Sequence, residues 1–545
     1  MRERLGEALE RLGVVGLEPE VSAPERAEHG DFSSNIAFSL KSRLGQPPRE
    51  AAEQLLAHLD RRPFSKVEVA GPGFINLFLR PEEIRRALGA ILVSGERYGT
   101  SDLGRGRRVQ VEYGSANPTG PLHLGFGRNV VLGDALANLL AAIGYTVERE
   151  YYVNDTGSQV EQFASSLYYY YAQALGREPP FTFPEEGYRG EYVQEWAREL
   201  AAAEGERLLH LPLEEALQMM KRWGLERVLR SVREDLVRLG IRYDQWFFDS
   251  ELFKDRDGGA LFSRVMELLR AKGYLKEEEG AVWFKATDLG GEKDEVLLRS
   301  SGRPGYFASD VAYHYNKFLE RGFEWVIDVW GADHQGHVPR MKAMMRAFGL
   351  DPERLTLLIY QLVTLKRAGE EIRLSRRRGE FIALRELLDE VGPDAVRYFL
   401  LSRSPDAHLE FDLELAKEQS KENPVFYIQY AHTRIAGIFR ELRGEPPHWG
   451  EVDLEPLQQP EELELIKRLD EFPELIQEAA LHFAPHLLAN YAYKLAALFH
   501  IFYDRYRVLD EGPLLMQARL ALCRGVQLAL QKALRIMGVS APERM

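Results

Sequence analysis

A strand–turn–helix–strand pattern in the first third of the chain restricts the fold more than any other feature of the sequence. Val109, Val111 and Tyr113 alternate with polar residues, as in a β-strand. A turn rich in Gly, Pro and Asn follows, and a helical pattern over residues 127–143 leads to a second strand pattern over residues 147–153. A strand, a crossover helix and a second strand form the repeating unit of a parallel sheet. We therefore predict an α/β domain built on parallel strands.

The parallel sheet is predicted to resume far along the chain, after a long interruption. Strand patterns recur over residues 324–329 and 355–362, with a helical pattern over residues 338–348 between them. The interrupting segment is mainly helical in pattern, and the chain beyond residue 384 is almost entirely so. The predicted units are an N-terminal α+β domain (residues 1–105), a Rossmann-like core (106–159 and 296–383), a helical insertion that splits this core (160–295) and an all-α C-terminal bundle (384–545).

The composition fits a multidomain protein of the cytoplasm. The 545 residues are too many for one hydrophobic core, and the single cysteine, Cys523, cannot form an internal disulfide. The sequence contains no run of about 18 apolar residues, so we expect no membrane span. The net charge of −14 (70 − 84) argues on its own against a nucleic-acid partner. Residues 366–378, however, hold six basic and two acidic side chains, which suits a polyanion.

The loop between the first strand and the first helix of the α/β domain, residues 115–128, has the features of a phosphate-binding turn. The N-terminus of a helix offers unpaired N–H groups and the positive end of the helix dipole. Gly125 and Gly127 allow the backbone to approach a ligand closely, and His123 can donate to a phosphoryl oxygen. A His-x-Gly pattern is common, so an ordinary Gly/Pro turn is the alternative at this point.

The same loop resembles the ATP-binding motif of class I aminoacyl-tRNA synthetases, which is written HIGH in one-letter code. Over residues 111–128 (VEYGSANPTGPLHLGFGR) it is most similar to the version in the arginyl-tRNA synthetase family. The likeness to that family extends in chain order over nearly the whole sequence, at residues 29–38, 70–79, 151–159, 306–313, 331–340, 391–401, 406–415, 423–435 and 539–545. Many ordered motifs are more specific than a single one.

The resemblance implies an enzyme that ligates L-arginine to the 3′-terminal ribose of its cognate tRNA through an arginyl-adenylate, with ATP as a substrate and Mg²⁺ accompanying it. Negative charge builds on the α-phosphate in this reaction, so cations and oriented donors are needed more than a nucleophile. The resemblance gives catalytic roles to His123, Arg376 and Arg377. The ATP-binding residues that it implies are Pro118, His123, Gly125, Arg128, Arg373, Leu374, Ser375 and Arg376.

Two departures from the family pattern affect that assignment. Phe126 stands where the HIGH motif ends in a histidine, so His123 is the only imidazole of the loop. The second ATP motif of the class has the form Lys-Met-Ser-Lys-Ser, and its counterpart at residues 373–377 (RLSRR) carries arginines in place of both lysines. The charge is kept while the geometry changes. A solvated basic loop is the alternative interpretation of this stretch.

The arginine site is predicted from the chemistry of a guanidinium, which is planar, permanently charged and carries five donors. Such a group needs carboxylates placed for paired contacts and a flat neighbour. The resemblance supplies Glu112 and Asp310 as the carboxylates and Tyr306 as the neighbour, and it places Ser115, Asn117 and Gln335 at the α-amino and carboxylate groups. Considered alone, Glu112 fits a solvent-facing strand residue and Asp310 fits a helix cap.

The tRNA-binding regions are predicted at the two ends of the chain. The first unit resembles the family's extension that contacts the outer corner of tRNA, and the last unit resembles its anticodon-binding bundle. Aromatic and Arg side chains over residues 426–434 can stack on unpaired bases, although aromatics at helical spacing more often belong to a core. The candidates for tRNA contact, by resemblance, are Gln429, His432, Arg434 and Met545.

His334 and His337 have a spacing that suits a pair of metal ligands. The resemblance instead places their turn near the substrates, so we expect no zinc site there. It also implies a monomer.

Two alternatives stay open at this stage. One is another class I synthetase or a related nucleotidyl transferase, which would have no use for both Glu112 and Asp310. The other is a catalytically impaired, tRNA-binding homologue, for which Phe126 and the arginines at residues 373–377 are the argument.

Overall fold

The N-terminal unit is a small antiparallel sheet covered by helices. The structure, a computed structural model, describes residues 1–22, 24, 26–255, 259–372 and 382–545. The elements of this unit are α1 (Arg2–Arg11), β1 (Phe32–Ser34), α2 (Ile36–Leu44), α3 (Pro48–His58), β2 (Phe64–Ala70) and β3 (Phe74–Leu79). The strands are arranged in the order β1-β3-β2, and Leu5, Leu9 and Leu77 lie in the core. The next helix, α4 (Pro81–Ser94), packs instead against the C-terminal bundle.

The middle of the chain alternates strands and helices, as the sequence pattern predicts. In chain order the elements are β4 (Arg108–Glu112), α5 (Leu124–Ala142), β5 (Thr146–Val153), α6 (Ser158–Ala174), α7 (Glu191–Glu204), α8 (Leu213–Arg238), β6 (Gln245–Phe248), α9 (Leu261–Ala271), β7 (Leu275–Glu278), β8 (Ala281–Phe284), β9 (Glu295–Leu298), α10 (Ala308–Tyr315), β10 (Trp325–Gly331), α11 (Val338–Phe348) and β11 (Leu355–Tyr360). A π-helical turn, Asn316–Glu320, directly follows α10.

The C-terminal part is dominated by long helices. A small sheet of three strands joins it to the core. Within the described residues, five helices form the bundle itself. The elements are β12 (Val363–Arg367), β13 (Glu370–Ile372), α12 (Leu384–Leu401), β14 (Leu409–Asp412), α13 (Leu413–Lys417), α14 (Pro424–Glu441), α15 (Pro460–Asp470), α16 (Phe472–Leu481), α17 (His486–Arg505) and α18 (Pro513–Met537).

The central sheet has the strand order β11-β10-β4-β5-β6, and all of its neighbouring strands are parallel. This confirms the predicted α/β fold with a parallel sheet, an N-terminal domain and a helical C-terminal domain. The segment that the sequence pattern describes as mainly helical also contains strands, namely β6 and most of the separate antiparallel sheet β7-β8-β9. Strand β6 contains three consecutive aromatic residues, and periodicity cannot distinguish such a short apolar run from part of a helix.

Helix α5 is at the centre of the α/β unit, and most of its side chains are buried. It packs between the sheet and the helices α12, α16 and α18. Gly133 permits this close approach, because a Cβ atom there would lie 2.2 Å from Cγ of Tyr113. The sheet and the bundle therefore share one continuous core. None of the helices in the described ranges is long and apolar enough to cross a membrane.

Candidate active site

The parallel sheet has its topological switch point between β4 and β10. From β4 the chain continues to β5 and β6 on one side, and it returns later to β10 and β11 on the other side. Ligands of open α/β sheets bind in the crevice at the carboxyl ends of such strands, where the connections diverge. The loop that follows β4 and the turn Ala332–His337 that follows β10 both begin at this edge. The predicted phosphate-binding loop therefore lies at the position that the topology favours for a ligand.

His123 is the N-cap residue of α5, and its ring is oriented by the helix. Its Nδ1 accepts a hydrogen bond from the N–H of Gly125 at 3.1 Å. In the neutral ring the proton is therefore on Nε2, which makes Nε2 a donor. A Cβ at residue 125 would lie 3.0 Å from Cε1 of His123, so Gly125 permits this contact. The ring of Phe126 packs against His123 with centroids 4.8 Å apart.

The loop after β4 is fixed by buried hydrogen bonds. The side chain of Asn129 accepts from the N–H of Gly114 at 2.6 Å and donates to the carbonyl of Val329 on β10 at 2.8 Å. Ser115 adopts a left-handed backbone conformation, with φ of 40°, which is unfavourable for a residue other than glycine. Its hydroxyl donates to Oε1 of Glu112 at 3.0 Å and accepts from a backbone N–H of β5 at 3.0 Å. Ser115 thus connects the loop to the predicted arginine site.

The other predicted residues of this loop have separate surroundings. Pro118 is buried, and Asn117 donates to Oε1 of Gln159 at 2.9 Å. Helix α7 of the insertion covers the loop, because the hydroxyl of Tyr192 donates to the carbonyl of Thr119 at 2.8 Å. The insertion therefore contributes directly to the wall of the site.

Glu112 ends β4 as a buried carboxylate, only 8% exposed, and not as a solvent-facing residue. Its Oε2 accepts from Nζ of Lys317 at 2.6 Å, and the same Nζ donates to Oδ1 of Asp328 at 2.8 Å. Burial raises the pKa of Glu112, and Lys317 opposes that effect. For Asp328, burial also acts to raise the pKa, but Lys317 and His314 outweigh it and hold the value at about 2.

Asp310 lies one helical turn before His314 on α10. The backbone carbonyl of Asp310 lies 2.8 Å from Nδ1 of His314, and Nε2 of His314 lies 2.8 Å from Oδ2 of Asp328. Burial raises the pKa of the Asp310 carboxyl. Within the described ranges, no side chain donates a hydrogen bond to this carboxylate. A desolvated carboxylate of this kind gains most from a cationic partner.

Tyr306 and Gln335, the remaining predicted arginine-binding residues, are on the surface of the site. Tyr306 is 68% exposed, and the guanidinium of Arg340 lies 5.5 Å from the centroid of its ring. Gln335 is exposed in the turn that follows β10. The structure therefore brings Glu112 and Ser115 into direct contact, and it leaves the roles of Tyr306 and Gln335 as predictions.

The Arg128 side chain is buried and bound to three backbone carbonyls. Its guanidinium donates to the carbonyls of Gln361, Ala407 and Ser404 at 2.6, 3.0 and 2.8 Å. Burial lowers its pKa to about 10. In this arrangement Arg128 connects α5 to the segments that follow β11 and precede β14, and its predicted contact with ATP stays a prediction.

The second predicted ATP motif, with Arg373, Leu374, Ser375, Arg376 and Arg377, lies outside the described residues. The described chain that follows it is anchored beside the first motif. Ala383 pairs with His123 in an antiparallel β-bridge, and the N–H of Leu384 donates to the carbonyl of Leu122 at 2.8 Å.

The predicted tRNA-contacting residues on α14 hold the C-terminal tail. Gln429 donates to Asp394 and to Ser540, and Nδ1 of His432 lies 2.8 Å from the carbonyl of Pro542. Gln429 is 8% exposed and His432 is fully buried. In contrast, Arg434 is partly exposed with its guanidinium 4.6 Å from the ring centroid of Tyr430, and Met545 is 54% exposed.

The two histidines after β10 lie close together, with their Nδ1 atoms 3.5 Å apart. Burial, together with Arg340 and His334, lowers the pKa of His337 to about 4. In the part of the chain that the structure describes, no group of three or more His, Cys, Asp and Glu side chains is placed to hold a metal ion.

Sequence reasoning missed Lys317, His314 and Asp328, which surround the predicted carboxylates. One signal was present, because Asp328 interrupts the apolar strand β10 and a charge inside a buried strand requires a partner. The partner itself was not predictable from spacing, since Lys317 belongs to the π-helical turn.

The fold has counterparts among the class I synthetases. Residues 87–408 match the family model described as tRNA synthetases class I (R), catalytic domain. A solved Mycobacterium tuberculosis methionyl-tRNA synthetase in complex with methionyl-adenylate shares the fold, with a TM-score of 0.54 and 15% identity over 79% of this chain and 91% of that chain. The catalytic unit is therefore a class I aminoacyl-tRNA synthetase domain.

The flanking units narrow the class to one family. Residues 1–79 match the arginyl tRNA synthetase N terminal domain, and residues 428–545 match the DALR anticodon binding domain. The chain is 48% identical over 534 residues to an arginine–tRNA ligase of Heliobacterium modesticaldum, covering 96% of this chain and 93% of that protein. The match to the arginine–tRNA ligase of Syntrophotalea carbinolica is 46% identical over 557 residues and covers 100% and 99%. The Thermus thermophilus arginyl-tRNA synthetase structure superimposes with a TM-score of 0.77 at 25% identity and covers 100% and 99%. The chain belongs to the arginyl-tRNA synthetase family.

Proposed function

We propose that this chain ligates L-arginine to the 3′-terminal ribose of its cognate tRNA in two steps. In the first step a carboxylate oxygen of arginine attacks the α-phosphorus of ATP, pyrophosphate leaves, and arginyl-adenylate forms. In the second step a ribose hydroxyl of tRNA attacks the acyl carbon, and AMP leaves. The observation that carries the proposal is the continuity of the two sites, because Ser115 of the ATP loop donates directly to the buried carboxylate of Glu112.

The ATP part of the site is formed by His123 and the start of α5. Nε2 of His123 and the N–H groups of the first helical turn donate to the phosphates, where the charge of the transition state develops. The catalytic roles of Arg376 and Arg377, and the ATP contacts of Pro118, Gly125, Arg128 and residues 373–375, belong to this proposal. Mg²⁺ bound to ATP would offset the phosphate charge. The described residues fit an ion held mainly by phosphate oxygens, since they offer no all-protein cage.

The arginine part of the site is formed by Glu112 and Asp310. Three carboxylates, Glu112, Asp310 and Asp328, lie around Lys317 and His314. Three carboxylates outnumber these two groups whichever form His314 takes. The cluster is therefore net negative, which suits a guanidinium. Tyr306, Asn117 and Gln335 complete the substrate contacts at the rim.

The tRNA is bound by the N-terminal unit (residues 1–105) and the C-terminal bundle (384–545), on either side of the core (106–159 and 296–383) and its insertion (160–295). Gln429 and His432 act by holding the tail, which ends at Met545, while Arg434 and Met545 contact the anticodon loop. The enzyme works as a cytoplasmic monomer.

The proposal is tested by aminoacylation of cognate tRNA with radiolabelled arginine, together with ATP–pyrophosphate exchange measured with and without that tRNA. We expect arginyl-tRNA to form, and exchange to require arginine. A chain that binds the tRNA but yields no product in any of these conditions would be the catalytically impaired homologue instead.

A further inference from the structure

Lys317 is completely buried and lies between the two strands that border the switch point. Its Nζ donates to Glu112 at the end of β4 and to Asp328 within β10, and it lies 4.1 Å from the ring centroid of Tyr313. A buried ammonium is costly unless every donor has an acceptor. The two carboxylates and the aromatic face meet that requirement.

The position of Lys317 depends on an irregular piece of backbone. Helix α10 ends at Tyr315, and the chain continues in the π-helical turn Asn316–Glu320. A π-helical turn inserts one residue relative to an α-helix and recurs at functional sites. Tyr313 lies in the last turn of α10 and Lys317 in the π-helical turn, and the two side chains are in contact. The turn therefore places Lys317 at the carboxylate cluster, beside a ring that α10 holds.

The charges of the cluster are fixed by these contacts. Burial by itself would lower the pKa of Lys317, but Asp328 and Glu112 outweigh burial and raise it, so Lys317 is a cation. The neighbouring Glu150 on β5 has a cation of its own, Arg321, which also binds Glu148. Without Lys317, the carboxylates of Glu112 and Asp328 would share a buried site with no cation between them, and one of the two would take up a proton.

We propose that Lys317 is a positioning residue that holds Glu112 as an ionised carboxylate in the arginine pocket, where it can pair with the guanidinium of the substrate. This inference rests on the proposed function. It goes beyond the assignment of Glu112 and Asp310, because it places part of the specificity on a residue that does not touch the substrate.

The first test is Lys317→Met in the full chain, assayed by aminoacylation. We expect the KM for arginine to rise at least about 10-fold, because Glu112 is no longer held in its charged form. The KM for ATP should stay within about twofold, since Lys317 reaches the His123 loop only indirectly, through Glu112 and Ser115. The matched control is Lys342→Met, which removes a partly buried lysine that binds the carbonyls of Pro352 and Leu355. Its KM for arginine should equal that of the unmodified chain.

The second test separates charge from simple packing. The double variant Lys317→Met with Asp328→Asn removes the carboxylate that competes with Glu112, so that Glu112 can again be ionised, and it keeps Asp310. It should bind arginine at least about threefold more tightly than Lys317→Met alone, measured by calorimetry. If Lys317→Met alone does not fold, the arginine affinity of the double variant still tests the inference.

Three outcomes would overturn the inference. They are an unchanged KM for arginine in Lys317→Met, an equal rise in the KM values for arginine and ATP, and no gain of affinity in the double variant. An unmodified chain that forms no arginyl-tRNA would instead defeat the proposed function, so the two failures are distinguishable.

Discussion

The carboxyl edge of the sheet and the α14 face of the bundle both contain site residues that were predicted from the family resemblance. The surroundings of these residues differ between the two regions. At the sheet edge, Asp310 and His123 present groups to the crevice. On α14, Gln429 and His432 are buried and bound to the C-terminal tail. The two regions therefore have separate roles, because residues of the sheet edge line the substrate crevice, while Gln429 and His432 hold another segment of the chain. The predictions below test that separation.

The largest effect is expected from Asp310→Ala. We expect arginine binding to weaken by about 3–5 kcal/mol, because the guanidinium would lose its least compensated partner in a desolvated site. Calorimetric titration with arginine measures this change. Arginine affinity equal to that of the unmodified chain would remove Asp310 from the binding site.

His123→Ala should slow ATP–pyrophosphate exchange about 100- to 1,000-fold, since it removes the Nε2 donor from the developing charge. His123→Asn keeps an acceptor for the helix N-cap and separates the loss of chemistry from the loss of the cap, which is worth about 1 kcal/mol. Adding Phe126→His to His123→Ala should restore part of the rate. If His123→Ala slowed exchange only a few-fold, the loop amides would be the main stabilising groups.

On the bundle side, His432→Ala should lower the free energy of unfolding by about 1–3 kcal/mol, because it removes a fully buried ring together with its hydrogen bonds to the carbonyl of Pro542 and to Gln531. The loss is limited, since the hydroxyl of Thr433 still donates to the same carbonyl. The KM values for arginine and ATP should not change, while the KM for tRNA should rise as the tail loosens. Chemical denaturation and aminoacylation kinetics measure these quantities. A raised KM for arginine would contradict the separation between the two regions.

The smallest effect is a pH dependence of the bundle. Burial lowers the pKa of His432 from 6.5, and Gln531 faces its Nε2 as a donor, so the folded state holds the neutral ring. A group with a lowered folded pKa contributes its full stability above the unfolded pKa, and the contribution is lost as the pH falls through the folded pKa. The free energy of unfolding should therefore decrease below about pH 6.5. Replacing His432 with Gln should reduce this slope, and an identical slope would assign the effect to other groups.

The sheet was predictable because its strands carry local patterns, such as the alternation of Val109, Val111 and Tyr113. Strand β6 was not, because three of its four residues are consecutive aromatics and show no alternation with polar residues. The site shows the same limit. Glu112 follows from a motif, but its bond to Lys317 joins residues 205 positions apart through a π-helical turn that no periodicity indicates. Helical spacing likewise could not show which face of α14 the C-terminal tail covers.

The central claim is that a net-negative pocket with Glu112 and Asp310 selects a guanidinium. It is tested most directly by ATP–pyrophosphate exchange of the unmodified chain with arginine, lysine and citrulline, in the presence of cognate tRNA. We predict exchange with arginine and strong rejection of both analogues, because lysine lacks the planar paired donors and citrulline lacks the charge. Comparable exchange with lysine or with citrulline would contradict the account.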